Sequence, residues 1–212
     1  MDILKAIAED LRKGEASKVK GLVQAALDEG LSVEDVLNEG LIAGMTIVGK
    51  LFKENEIFLP EVLFAGKAME AGMEILQPLM LKTGGQKMKA RIVLGTVAGD
   101  VHNIGKNLVR IMLEGAGYEV NDLGVDVPPQ RFVDAAADGA QIVGMSALLT
   151  TTMRSMKPVI EALEKAGLKG RVKTMIGGAI VTQQYADEIG ADGYAPDAGS
   201  AVDKAKELLG LR

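Results

Sequence analysis

One side chain in this sequence can offer an imidazole. It is His102, in the run Gly99-Asp100-Val101-His102-Asn103-Ile104-Gly105-Lys106-Asn107. A carboxylate two residues before a histidine has a definite use. If one ring nitrogen meets a metal, the other N–H needs an acceptor that fixes the tautomer, and Asp100 is placed to supply it. Gly105 lets backbone approach a bulky ligand closely, or turn tightly into a following helix. The competing reading of the loop is a histidine that caps a helix. The chain contains no cysteine, which excludes disulfides, thiolate zinc sites, iron–sulfur clusters and cysteine nucleophiles, and leaves a zinc hydrolase short of ligands.

Three further runs carry weaker signals. Ser146-Ala147-Leu148-Leu149-Thr150-Thr151-Thr152 offers hydroxyls that could donate to a ligand or cap the next helix. Gly177-Gly178-Ala179 permits either close passage of a large group or a plain turn. In Tyr194-Ala195-Pro196-Asp197-Ala198, Asp197 is a ligand contact or the N-cap of the last helix.

The elements that must position these runs divide at the polar, glycine-containing stretch 82–89, which reads as a linker between domains at 1–81 and 90–212. The first domain shows four helical patterns: residues 2–13, 16–29, Ser32 to about Phe52, and Pro60 to about Met80. Leu37, Leu41, Ile47, Val48 and Leu51 of the third, and Val62, Ala65, Met69, Met73, Leu76 and Met80 of the fourth, fall toward a core. Short connections suggest an antiparallel bundle. The second domain alternates strand and helix. Strands are expected at Arg91–Val97, Glu119–Gly124, Ile142–Ser146, Val172–Ile176 and Gly193–Ala195, and helices at about 105–115, 129–138, 153–166, 182–189 and 199–209. Ile92-Val93-Leu94 and Ile142-Val143-Gly144-Met145 are apolar without alternation, as strands covered on both faces are. The expected fold is a flavodoxin-like (Rossmann-type) five-stranded parallel sheet, with ligands outside the carboxyl ends of the strands. All four loops fall on that edge.

Composition removes other classes. A net charge of −5 argues against nucleic acid, and aromatics at 3% with no Trp leave few stacking platforms. The N-terminus lacks a signal peptide's pattern and no stretch approaches the ~20 apolar residues of a membrane span, so a cytoplasmic location is expected. No Gly-x-Gly-x-x-Gly dinucleotide fingerprint or Walker sequence is present. Strand three ends in Ser146, not the Asp of a response-regulator receiver.

Asp100-x-His102-x-x-Gly105, Ser146-x-Leu148 and Gly177-Gly178 together resemble the three-part signature of the vitamin B12-binding fold that holds its cofactor base-off with histidine on cobalt. Gly44-Met45, Val48-Gly49, Phe58-Leu59-Pro60-Glu61-Val62 and Met69 resemble the four-helix cap domain that precedes this fold in cobalamin-dependent methionine synthase. They are also similar to the small corrinoid proteins of methanol, methylamine, betaine and methoxyarene methyltransferase systems. The resemblance spans nearly the whole chain.

It implies that His102 Nε2 binds cobalt, with Asp100 on the other ring nitrogen and Thr152 completing the relay. Ser146 and Thr150 would line the tunnel for the displaced nucleotide tail, and Gly177 and Gly178 would let it pass. Val101, Asn103, Ile104, Gly105, Leu148, Ala179, Tyr194, Asp197 and Ala198 are the remaining expected contacts. Met45, Phe58, Val62 and Met69 are expected at the upper corrin face, although methionines at this spacing are equally bundle core. The function implied is a corrinoid methyl carrier, loaded as methylcobalamin and non-catalytic alone. Its partners would be a donor methyltransferase, an acceptor methyltransferase using tetrahydrofolate or a thiol, and a reductive activator. A sensory B12 module is the alternative, though it wants a DNA-binding domain and a cap tryptophan. An adenosyl-B12 mutase subunit normally lacks the cap, and a cofactor-free flavodoxin-like domain is the plain competitor.

Overall fold

The computed structural model describes residues 2–82 and 89–211, which fall into two compact units, one all-helical and one built on a sheet. Of the stretch expected as a linker, residues 83–88 lie outside the described residues.

In the helical unit, α1 (Ile3–Arg12) starts where the Asp2 carboxylate accepts the Leu4 N–H at 3.2 Å. Its Leu4, Ile7, Ala8 and Leu11 are buried at the spacing of one helix face. The next helix, α2 (Ala16–Asp28), buries Val19, Val23 and Ala26. Ser32 caps the third, its hydroxyl accepting the Asp35 N–H at 3.0 Å. That helix, α3 (residues 33–53), is continuous but not uniform, because Val36–Ile42 is wound as a π-helix before α-helix resumes over Ala43–Lys53. Leu37, Leu41 and Val48 are buried as expected, but Ile47 is 41% exposed. Wider π turns rotate the residues that follow, so Gly44, Met45 and Val48 form the buried set instead. A Cβ on Gly44 would sit 2.9 Å from the Ala8 carbonyl oxygen, so α1 and α3 touch backbone to backbone there. The last helix, α4 (Leu59–Lys82), has Pro60 in its first turn. Its Val62, Ala65, Met69, Leu76 and Met80 are buried.

In the other unit, β1 (Arg91–Thr96), β2 (Glu119–Asp122), β3 (Ile142–Ser146), β4 (Lys173–Gly177) and β5 (Gly193–Ala195) form one parallel sheet in the order β2-β1-β3-β4-β5. The helices are α5 (Ile104–Gly115), α6 (Pro129–Ala137), α7 (Thr150–Met153), α8 (Met156–Lys165), α9 (Gln183–Ile189) and α10 (Ala198–Leu208). The single helix expected over 153–166 is two: it starts early at Thr150 and breaks at Arg154-Ser155. Phe132, Val93, Val143, Met145, Met156 and Ile176 belong to the buried cluster beneath the sheet.

Register sets the floor of the candidate site. Thr96 pairs with Ser146, Ser146 with Gly177, and Gly177 with Ala195, so these residues form one row at the carboxyl edge. The strand order reverses between β1 and β3, which makes the crevice beside Thr96 and Ser146 the topological switch point. None of the described helices is long and apolar enough to cross a membrane.

Candidate corrinoid site

Asp100 is the hub of the β1–α5 loop. Its side chain is fully buried, which opposes ionisation, but the carboxylate collects four hydrogen bonds. Thr152 Oγ1 donates to Oδ2 at 2.5 Å and the Leu148 N–H donates to the same oxygen at 2.8 Å. The His102 N–H donates to Oδ1 at 3.0 Å, and His102 Nδ1 lies 2.7 Å from it. Burial pushes the carboxyl's pKa up, while the bonds from Thr152, Leu148 and His102 outweigh it and hold the group well below the usual carboxylate range. Thr152 Oγ1 also lies 3.0 Å from the Leu149 carbonyl oxygen. A hydroxyl has one proton to give, and the shorter contact to an anion takes it.

An ionised Asp100 only accepts, so Nδ1 of His102 carries the proton that faces it, which leaves Nε2 as the ring nitrogen able to present a lone pair. Among the described residues no hydrogen bond to Nε2 is found, and the side chain is 46% exposed. Thr96, buried at the end of β1, donates its hydroxyl to the His102 carbonyl at 2.8 Å and fixes the backbone behind the ring.

The surroundings suit a metal that brings its own equatorial ligands. No group of three or more His, Asp or Glu among the described residues could hold a bare ion. Around the single imidazole stand apolar side chains turned outward: Val101 and Ile104 are 69% and 70% exposed, and Leu148 and Leu149 are also exposed. Such a rim is costly in water and matches the face of a macrocycle. A Cβ on Gly105 would meet nothing within 4 Å, leaving open space at the start of α5. Gly178, at φ +133°, lies so close to the neighbouring loop that a Cβ there would be 1.9 Å from the Ala147 oxygen. The residues present therefore fit a corrinoid whose metal a single nitrogen, that of His102, would hold.

The other expected contacts are scattered in kind. Asn103 and Gly105 are exposed beside His102, Ser146 is half-buried on the sheet edge, and Thr150 is exposed in the first turn of α7. Gly177 and Ala179 flank Gly178 at the end of β4, with Gly177 in the Ser146 row. Tyr194 is half-buried and Ala198 buried. Asp197 caps α10, accepting from the Ser200 N–H at 2.7 Å and the Ser200 hydroxyl at 2.8 Å. In the helical unit Met45, Val62 and Met69 are buried, and Phe58 is 64% exposed.

Two features lay outside the sequence reading. The Leu148 contribution to Asp100 comes from a backbone N–H, which no side-chain identity announces. Lys106 is buried in the first turn of α5, where the helix dipole disfavours a cation. Its ammonium is held by the Asp122 carboxylate at the end of β2, and by Asn107 Oδ1 at 2.9 Å. The one cue was a lysine directly after Gly105.

Residues 90–203 match the B12 binding domain family, and residues 3–77 match a second B12 binding domain family. A corrinoid protein of Desulfitobacterium hafniense strain Y51 is 44% identical over 99% of both chains. A dimethylamine corrinoid protein of Methanosarcina mazei is 46% identical over 96% of this chain and 97% of its own. In structure, the chain is similar to one in the methanol:cobalamin methyltransferase complex of Methanosarcina barkeri. The TM-score is 0.89 and identity 32%, covering 99% of this chain and 80% of that one.

Proposed function

The chain belongs to the corrinoid proteins with B12 binding domains, and on that premise we propose that it is a methyl carrier between two methyltransferases. The observation that carries the proposal is the lone imidazole: His102 offers Nε2 outward while four donors hold Asp100 ionised behind it. When bound, a corrinoid supplies a cobalt centre that accepts and gives up a methyl group.

His102 would hold the cobalt in this reading, and Asp100 fixes its tautomer and ring orientation. Thr152 sets how much charge Asp100 lends to the ring. Asp100, 2.7 Å from Nδ1, would hold the ring in place while it carries the metal. Ser146, Thr150, Gly177 and Gly178, in and just beyond the ends of β3 and β4, would accommodate the nucleotide tail. Of the cap candidates, Phe58 has the exposed side chain, and we assign the corrin contact to it first.

Several relatives are named for dimethylamine or trimethylamine and one matched complex for methanol, which supports a donor methyltransferase acting on a methylamine or methanol. The acceptor enzyme would methylate tetrahydrofolate or a thiol, with a reductive activator restoring the cofactor in the cytoplasm. The protein incubated with hydroxocobalamin and desalted should retain one corrin per chain. Loaded and reduced, it should not demethylate methanol or dimethylamine unaided. Failure to retain corrin overturns the cofactor assignment, and unaided turnover overturns the carrier role.

A further inference from the structure

Asp126, on the connection from β2 to α6, has no part in the site described above. Among the described residues only it and Asn55 are non-glycine residues with positive φ, at +52° and +60°. Asn55 follows the end of α3, where a left-handed residue is an ordinary helix stop. Asp126 ends no helix, and although aspartate tolerates the left-handed region better than most residues, the conformation still carries a cost that its hydrogen bonds offset.

In that conformation two of its groups face the histidine loop. Oδ1 accepts the Gly99 N–H at 2.7 Å, and the Asp126 N–H donates to the Asp100 carbonyl at 2.9 Å. The next residue continues the seam, the Val127 N–H donating to the Thr96 carbonyl at 3.0 Å. Thr96 in turn holds the His102 carbonyl. The backbone on either side of the Asp100 side chain is thereby bracketed from the β2–α6 connection.

We propose that Asp126 is a positioning residue for the axial histidine. Its paired bonds to Gly99 and Asp100 fix where the Asp100 carboxylate points and, through it, the His102 ring. The inference rests on the reading of His102 as the cobalt ligand. It assigns the effect to hydrogen-bond geometry, not to the charge of Asp126.

Three variants separate these ideas: Asp126→Asn, Asp126→Gly and His102→Ala, each compared with wild type as apo protein and after loading with hydroxocobalamin. Asparagine tolerates the left-handed backbone and keeps an acceptor oxygen, so Asp126→Asn should retain the wild-type corrin spectrum. Glycine keeps the backbone and its N–H but loses Oδ1. Gly99 amide exchange in apo Asp126→Gly should then be about fivefold faster. The loaded form should show a larger share of corrin with the axial imidazole off. Its unfolding midpoint should stay near wild type, because relief of left-handed strain offsets the lost bond. If Asp126→Gly gives the wild-type spectrum while His102→Ala does not, Asp126 positions nothing. If Asp126→Asn behaves like Asp126→Gly, charge is what matters and the geometric proposal is wrong. If His102→Ala leaves the spectrum unchanged, the axial assignment itself falls and this inference falls with it.

Discussion

Thr152 and Asp100 stand 52 positions apart in the chain, yet the Thr152 hydroxyl meets the Asp100 carboxylate at 2.5 Å in a buried setting. The pairing joins the loop after β1 to the short helix after β3 across the switch point of the sheet. Replacing Thr152 with Val keeps the shape and removes the donor. It should cost about 1.5–3 kcal/mol, the usual worth of a hydrogen bond to a charged group. Thr152→Ser should cost much less. Urea unfolding of the apo proteins checks the pair, and equal losses in the two variants would mean that the methyl group matters, not the hydroxyl.

Asp100 should couple stability to acid. Its carboxyl is held below the usual range when folded, so its contribution is fully present above the unfolded value of about 3.9. It is lost as pH falls further, through the depressed folded value. Wild-type apo protein should therefore lose stability below about pH 4 more steeply than Asp100→Asn. At neutral pH the variant should be less stable by about 2 kcal/mol, because its NH2 faces donors. Parallel stability curves through the acid range would show that Asp100 is not the group responsible.

Gly105 and Gly178 should behave oppositely in the apo protein. Gly105 lies in the first turn of α5 with open space where a Cβ would go. Gly105→Ala should stabilise the apo fold by about 0.5–1 kcal/mol through helix propensity, while weakening corrin retention. Gly178→Ala meets the Ala147 oxygen at φ +133° and should cost on the order of 3 kcal/mol or more before any cofactor is added. Thermal unfolding with and without hydroxocobalamin distinguishes them. Unchanged retention in Gly105→Ala would place the corrin elsewhere.

How much of this was readable beforehand depended on what kind of signal each part left. The order of strands and helices followed from apolar runs and glycine stops, and the sheet order from five alternating units. Asp100 and His102 announced themselves because both side chains carry the chemistry at a fixed short spacing. The Leu148 N–H, the Thr96 hydroxyl under His102 and the left-handed backbone of Asp126 left no such mark. They act through backbone groups or strand register, which depend on the folded path and not on a motif. The π-helical stretch in α3 hid the exposure of Ile47 for a related reason, since periodicity assumes uniform turns.

The cap candidates show the same ambiguity in energetic form. Val62 is fully buried and Phe58 is 64% exposed, although both stand at the start of α4. Val62→Ala should destabilise the apo protein by about 2 kcal/mol, from lost apolar burial and a residual cavity. Phe58→Ala should stay within about 0.5 kcal/mol, as surface changes do, and show its effect in corrin binding instead. Chemical denaturation and a hydroxocobalamin titration measure the two effects. A Phe58→Ala variant that binds corrin as tightly as wild type would remove that contact.

Because His102 is the one histidine in the chain, labelling the protein with 15N-histidine marks a single imidazole. The most direct test is the electron paramagnetic resonance spectrum of the corrinoid-loaded protein in its cobalt(II) state, with and without that label. An axial His102 predicts a superhyperfine triplet that becomes a doublet on labelling. Splittings that do not change with the label would mean that His102 does not ligate cobalt.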